Sequence, residues 1–377
     1  MRSFFKIEIS HSAIRILSVE SIMPYTLWFD KVGKEAIGLV GGKNASLGEL
    51  IRADIPVPPG FSITTEAYHD FLSESGIKEE IQKILSRINL QDVASLEEAS
   101  KTICELIRIT PLSKELGKAI TSDYQALAQA CDVIDIPVAV RSSATAEDLP
   151  GASFAGQQDT FLWVRGCDEL LEKAKSCMAS LFTSRAISYR IKMGFPHEKV
   201  LISVGVQKIV DAKAAGVMFT LNPTNGDPSK VVIEGNWGLG ETVVSGTVNP
   251  DKYVVDKVTK DIEKTISKKC VECVYDPEKK GVAHMDIPCE RQEVQCIEDQ
   301  EILELARFAK RVEEYYGCPQ DMEWAIDKQK SFPLNIFMVQ SRPETVWSQQ
   351  KKKPVLGGKS AYELLMGKAL ERVRIGS

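Results

Sequence analysis

Residues 138–161 read V-A-V-R-S-S-A-T-A-E-D-L-P-G-A-S-F-A-G-Q-Q-D-T-F, and no other stretch restricts the chain as much. The apolar run 137–140 predicts a short buried strand that stops at Arg141. A loop of small residues and hydroxyls follows: Ser142, Ser143, Thr145, Gly151, Ser153 and Gly156. Small side chains let backbone N–H groups approach anionic oxygens, glycine reaches conformations closed to other residues, and a guanidinium grips phosphate with a planar fork. A cation at a strand end followed by such a loop suits a polyphosphate ligand. Composition alone also allows a plain connection.

A second anion-binding signature lies upstream, where residues 40–50 read V-G-G-K-N-A-S-L-G-E-L. Gly41 and Gly42 punctuate, and Ala45, Leu47, Leu50 and Ile51 supply the apolar face of a helix, so Lys43 falls in its first turn. Free N–H groups and the partial positive charge of a helix start favour an anion, and Lys43 adds a full charge. A solvated surface lysine has the same local sequence.

The third signature is a pair of strands predicted at 322–326 and 336–339. Side chains on a strand repeat every second residue, so Asp321 and Glu323 share one face, as do Gln340 and Arg342. If the strands pair as a hairpin, a carboxylate, an amide oxygen and a guanidinium converge. That set suits Mg²⁺–nucleotide chemistry, because magnesium takes few protein oxygens and leaves its other positions to phosphate and water. A surface acid on an edge strand is the plain alternative for Glu323.

Around these signatures the pattern is mixed. Helical periodicity runs over 77–130 with breaks near Asn89 and Pro111, and two amphipathic helices cover 167–193 after a strand at 161–164. Strand signals then dominate at 200–210, 214–220, 231–233, 253–256 and 261–267, before a helix at 302–316. A chain of 377 residues is too long for one small core. The mixed pattern reads as α+β and the length as two or three lobes, divided at 23–205 and 206–347, with an N-terminal extension at 1–22 and a linker and terminal helix at 348–377.

The net charge of -5 gives no basic footprint for nucleic acid, and no apolar stretch reaches the ~18 residues that span a bilayer. Nine scattered cysteines fit a reducing compartment, so a cytoplasmic location is expected. Cys270 and Cys273 form a C-x-x-C with His284, Cys289 and Cys296 downstream. The second C-x-x-C of a zinc framework is missing, which favours ordinary thiols in a strand-rich segment.

Taken together, Gly41-Gly42-Lys43, Pro58-Pro59-Gly60-Phe61, Val140-Arg141-Ser142-Ser143-Ala144, Phe154-Ala155-Gly156-Gln157, Trp237-Gly238-Leu239-Gly240-Glu241 and Val339-Gln340-Ser341-Arg342-Pro343 occur in one order. That order resembles the nucleotide-binding domain of the phosphoenolpyruvate synthase (pyruvate, water dikinase) family, shared with pyruvate phosphate dikinase and rifampicin phosphotransferase. The resemblance runs from about Tyr25 to Trp347. It implies an ATP-grasp-like fold, with a helical front subdomain, a mostly antiparallel sheet lobe, and nucleotide between the lobes. Residue by residue, it implies that Lys43 and Arg141 hold phosphates, that Gly156, Thr160 and Phe161 form a loop over the nucleotide, and that Gln207 lies near the adenine. Glu323 and Gln340 match Mg²⁺ ligands, and Arg342 matches a further phosphate-binding arginine.

Full-length members of that family carry a swivelling domain whose histidine lies in a Gly-Gly-x-x-Ser/Cys-His context. None of His11, His69, His197 or His284 has such neighbours. The resemblance therefore implies the ATP-binding half of a dikinase-type phosphotransferase, with the phosphocarrier histidine on a separate domain or chain and AMP as product. Phenylphosphate synthase is the precedent for a separate subunit, which leaves pyruvate and phenol open as acceptors. Two rivals remain from the residues: a stand-alone ATP-grasp ligase that makes an acyl phosphate and ADP, and a nucleotide sensor without turnover.

Overall fold

The computed structural model describes residues 24–89, 92–145, 148–149, 152–153 and 160–347. The expected extension at 1–22, the segment 348–377 and, within the glycine-rich loop, Gly156 lie outside the described residues.

The front lobe begins with β1 (Thr26–Trp28), α1 (Ile37–Arg52) and β2 (Gly60–Ile63). Thr64 Oγ1 accepts from the Ala67 N–H at 3.3 Å and starts α2 (Thr65–Glu74). Next come α3 (Ile77–Leu85), α4 (Val93–Ile109) and α5 (Lys114–Ala130). The two expected breaks end at caps, since the Asp92 side chain accepts from Ala94 N and that of Ser113 from Leu116 N. The lobe continues through β3 (Val138–Ala144), the two-residue strands β4 (Asp148–Leu149) and β5 (Ala152–Ser153), β6 (Thr160–Val164), α6 (Cys167–Ala179), α7 (Ser184–Met193) and β7 (Ile202–Lys208). A five-stranded antiparallel sheet, ordered β1-β2-β7-β3-β6, carries this lobe. Its apolar side packs on the helices, with Phe61, Val138, Val140, Val204 and Val206 meeting Ile103, Ile107, Leu116, Ile120 and Leu127. Helices on one face of an antiparallel sheet give the α+β class.

The rear lobe adds β8 (Ala212–Phe219), β9 (Lys230–Trp237), α8 (Glu241–Val244), β10 (Asp251–Asp256) and β11 (Ile262–Thr265). Two paired strands follow, β12 (Val271–Asp276) and β13 (Gly281–Asp286), then α9 (Cys289–Gln292), α10 (Asp299–Tyr316), β14 (Gln320–Asp327) and β15 (Ile336–Pro343). Six antiparallel strands, ordered β11-β10-β9-β8-β14-β15, form the rear sheet. Ile302, Leu305, Ala309 and Val312 of α10 pack on its Ile233, Tyr253, Met322 and Trp324. Leu47 and Leu50 of α1 belong to this same cluster, although α1 precedes the whole front lobe. The boundary expected at 205/206 falls inside β7, and the chain passes from the front sheet to the rear one between Lys208 and Ala212.

The β12–β13 hairpin has no counterpart among the predicted elements, and it straps the lobes together. The Leu239 N–H donates to Cys273 O at 2.7 Å, while Tyr275 stacks on Trp163 of β6 with ring centroids 4.6 Å apart. Lys269 fixes its root. The Lys269 ammonium is fully buried and donates to Asp251 Oδ1 (2.6 Å) and Ser267 O (2.9 Å). The Asp251 carboxylate also accepts from Ser267 N, Tyr253 OH and Cys296 N. Among the described residues, no helix is long and apolar enough to cross a membrane.

Removing one member of a buried ion pair leaves the other uncompensated, which typically costs ~3–5 kcal/mol. Lys269→Ala is therefore expected to lower the unfolding free energy by about that much in urea titrations. A loss below about 1 kcal/mol would show that water reaches Asp251.

Candidate active site

Facing strands of the two sheets enclose a cleft of ≈ 680 Å³, a size that suits a small-molecule ligand. Lys43, Arg141, Thr160, Gln207, Lys208, Glu323, Gln340 and Arg342 all line it, together with Leu239, Gly240 and Glu241. Four cations (Lys43, Arg141, Lys208 and Arg342) thus face two carboxylates (Glu241 and Glu323), so the wall favours an anion.

Lys43 reaches the cleft because the α1 backbone breaks at Gly41, where φ is 72° and ψ 168°. A Cβ there would also lie 2.3 Å from Ser143 O, so both the conformation and the close approach to β3 require glycine. A fresh helix start follows, with Lys43 in its first turn as its spacing predicts. The Lys43 ammonium donates to Ser142 O at 3.3 Å. The next residue, Asn44, anchors the turn: its N–H donates to Ser143 Oγ (3.4 Å) and its Nδ2 to Ser203 Oγ (3.1 Å). One turn on, Ser46 Oγ donates to Ser341 O of β15 at 2.6 Å, so α1 ties the front sheet to the rear one.

The rear wall is the hairpin that alternation suggested. In the β14–β15 register Glu323 stands opposite Gln340 and Asp321 opposite Arg342, with an irregularity between Glu323 and Trp324. Arg141 crosses from β3 onto this hairpin. Its Nη1 donates to Val339 O at 2.9 Å, and its Nη2 donates to Gln340 Oε1 at 2.6 Å and Glu323 Oε2 at 3.3 Å. Arg342 is held by Asp321, whose Oδ2 accepts from Nε at 2.8 Å and lies 2.7 Å from Nη2. Burial pushes the Asp321 carboxyl above its ordinary range, and the neighbouring Arg342 guanidinium opposes that shift.

Gln207 is buried, and its Nε2 donates to Pro58 O at 3.3 Å. The Pro58-Pro59-Gly60-Phe61 run thus has a local role: Gly60 pairs with Gln207, and a Cβ at Gly60 would lie 2.3 Å from Val206 O. Thr160 opposes Arg141 in the β3–β6 register and lines the cleft. Phe161 is not brought there. Its ring packs against the front core, with the Lys173 ammonium 5.1 Å from the ring centroid. The strand alternation that sends Thr160 toward the cleft turns its neighbour away. Gly156 lies outside the described residues.

Sequence reasoning gave no role to Lys208 or to Glu241. A cation at the end of a strand, beside Gln207, was the available signal for the first. Glu241 closes the Trp237-Gly238-Leu239-Gly240 run, whose Gly238 has φ 73° and carries the chain under Cys273 O.

A facing carboxylate and amide oxygen, a cationic wall and two glycine-shaped approaches thus meet in one cleft, and comparison with known proteins identifies the family. Residues 37–361 match the model of the family described as "Pyruvate phosphate dikinase, AMP/ATP-binding domain". The chain is 45% identical to a probable phosphoenolpyruvate synthase of Staphylothermus marinus, over 92% of this chain and 45% of that protein. It is 43% identical to the phosphoenolpyruvate synthases of Aeropyrum pernix and Helicobacter pylori, over 87% and 88% of this chain and 43% of each relative. The chain thus spans less than half the length of these relatives. With the match extending over both lobes and the cleft between them, the chain belongs to the pyruvate phosphate dikinase AMP/ATP-binding domain family.

Proposed function

We propose that the cleft binds MgATP and presents its phosphates to a histidine carried on a separate domain or chain, which attacks the β-phosphorus and takes the β,γ-pyrophosphoryl group as AMP leaves; water then releases the γ-phosphate as inorganic phosphate and leaves the phosphohistidine. The observation that carries this reading is the convergence of Arg141, from the front sheet, with Glu323 and Gln340, from the rear hairpin, at one point.

The donor set fits magnesium, because Glu323 Oε2 and Gln340 Oε1 are hard oxygens close enough to share one guanidinium nitrogen. Bound by these two residues, the ion would supply charge neutralisation to phosphate oxygens. Arg141, released from that pair, turns its fork to a phosphate, and Lys43 and Arg342 hold others from two sides. Gln207 and the apolar Leu239 and Ala215 bound the part of the cleft assigned to the base. Such a site works by positioning and electrostatic stabilisation, so it needs no nucleophile of its own. None of the histidines among the described residues lines the cleft. The relatives are named for the synthesis of phosphoenolpyruvate, which supports pyruvate as the final acceptor, with phenol the other candidate. The absence of a membrane-crossing helix among the described residues and the reduced cysteines are compatible with a cytoplasmic setting.

Supplied with ATP, Mg²⁺ and the histidine-bearing part of a phosphoenolpyruvate synthase, the protein is expected to yield AMP and an acid-labile phosphoprotein. ADP and no phosphohistidine would favour the acyl-phosphate ligase, and tight ATP binding without turnover would favour the sensor. In the same assay Arg141→Ala is expected to lower AMP formation by at least about 10²-fold, the scale of one lost transition-state donor. Wild-type turnover in that variant would remove Arg141 from the machinery. Glu323→Ala should abolish the Mg²⁺ dependence of nucleotide binding in calorimetry, and an unchanged dependence would place the metal elsewhere.

A further inference from the structure

One cluster of metal-binding side chains stands apart from the phosphate end of the cleft. Cys273 on β12 and His284 on β13 are cross-strand partners, so their side chains leave the hairpin on the same face. Glu241, the first residue of α8, meets them there. Cys273 Sγ lies 3.7 Å from Glu241 Oε2, and His284 Nε2 lies 3.9 Å from Glu241 Oε1. One ligand atom from each of the three falls within 4.8 Å of the others. Tetrahedral zinc, with bonds of about 2.0–2.3 Å, holds its ligands roughly 3.3–3.8 Å apart, so small torsions of two half-exposed side chains close the triangle.

We propose that Cys273, His284 and Glu241 bind a zinc ion, with a fourth position open, at the rim of the nucleotide cleft. The C-x-x-C spacing in the sequence does not supply the ligands. The Cys270 thiol faces Gln292 Oε1, and the Cys296 thiol faces the Tyr253 hydroxyl. Cys289 is exposed on α9. What makes the cluster is the hairpin folding over the turn before α8. Both donor-bearing segments are pinned: Cys273 O accepts from Leu239 N at 2.7 Å, and Val271 O accepts from Asn236 Nδ2 at 2.8 Å.

The thiol is buried, and burial with the Glu241 carboxylate beside it pushes Cys273 up to about 12, so without metal it keeps its proton. Zinc binding forms a Zn–S bond and releases that proton to solvent, while neutral His284 donates through Nε2 and Glu241 through a carboxylate oxygen. A thiolate and an imidazole select zinc over magnesium, so excess Mg²⁺ does not compete. Because Glu241 lines the cleft and the hairpin stacks on Trp163, a metal here would lock the strap that joins the lobes.

Cobalt(II) is the probe, titrated into the purified protein in excess Mg²⁺ without nucleotide. The expected result is a near-ultraviolet thiolate-to-cobalt band that saturates at one ion per chain and is removed by stoichiometric zinc. Cys273→Ser should abolish the band, Cys289→Ser should keep it, and His284→Ala, on an exposed position that leaves the fold intact, should weaken cobalt binding at least ~10-fold. No band in the wild type, a band that survives Cys273→Ser, or wild-type affinity in His284→Ala would overturn the assignment. All of these readouts are independent of phosphoryl transfer.

Discussion

The structure depends on one guanidinium that crosses a gap. Arg141 sits midway along a front strand that stays buried on past it to Ala144, and its hydrogen bonds fall on Val339 O, Gln340 Oε1 and Glu323 Oε2 of the rear hairpin. Hydrogen bonds to charged groups in partly dry sites contribute roughly 1.5–3 kcal/mol each, enough to set how far apart two lobes rest. The same oxygens are the ones a hard cation would take. Under the proposed function, a ligand that brings its own phosphates and metal would exchange one set of charge pairs at Arg141, Glu323 and Gln340 for another without leaving any of them bare.

That crossing is possible because two other elements hold the sheets in register. α1 leans on both: its Asn44 side chain binds Ser203 of the front sheet, its Ser46 hydroxyl binds Ser341 of the rear one, and its Leu47 and Leu50 sink into the rear core. The break at Gly41 is what lets the helix start so close to β3 that Lys43 projects into the cleft. On the other side the β12–β13 hairpin covers the junction, pinned at its root by Lys269 and Asp251 and at its tip by Tyr275 against Trp163. The two braces lie at opposite ends of the cleft, so the site is held at both ends while its charged middle is left to the ligand.

The parts of this arrangement that follow local rules were legible in the sequence. The Asp321/Glu323 and Gln340/Arg342 faces came from period-two alternation, and the register then placed Glu323 beside Gln340. Lys43 came from two glycines before an apolar stripe. Less legible was anything set by which surface a face meets. Leu47 and Leu50 look alike whether they pack on the front or the rear sheet, so their place in the rear core is not written in the local pattern. The β12–β13 hairpin was missed because Val271–Asp276 and Gly281–Asp286 mix charged, polar and apolar residues with few fully buried positions. Phe161 and Thr160 differ for a local reason: alternation along β6 points adjacent side chains in opposite directions, one to the front core and one to the cleft.

The cleft also constrains what the domain does alone. Its described lining holds four cations, two acids and two hydroxyls but no imidazole and no thiol, so the wall neutralises and orients an anion. A neutral hydroxyl is a weak nucleophile without an adjacent base, and the nearest carboxylates are engaged, Glu323 with Arg141 and Glu241 with Cys273. A site built this way gains rate from a nucleophile that arrives with its own proton acceptor, which an incoming imidazole is. The relatives it resembles are more than twice as long as the part this chain matches, leaving ample chain for such a group. Under the proposed function, this cleft binds and orients the anion, and acceptance falls to a group delivered from outside it.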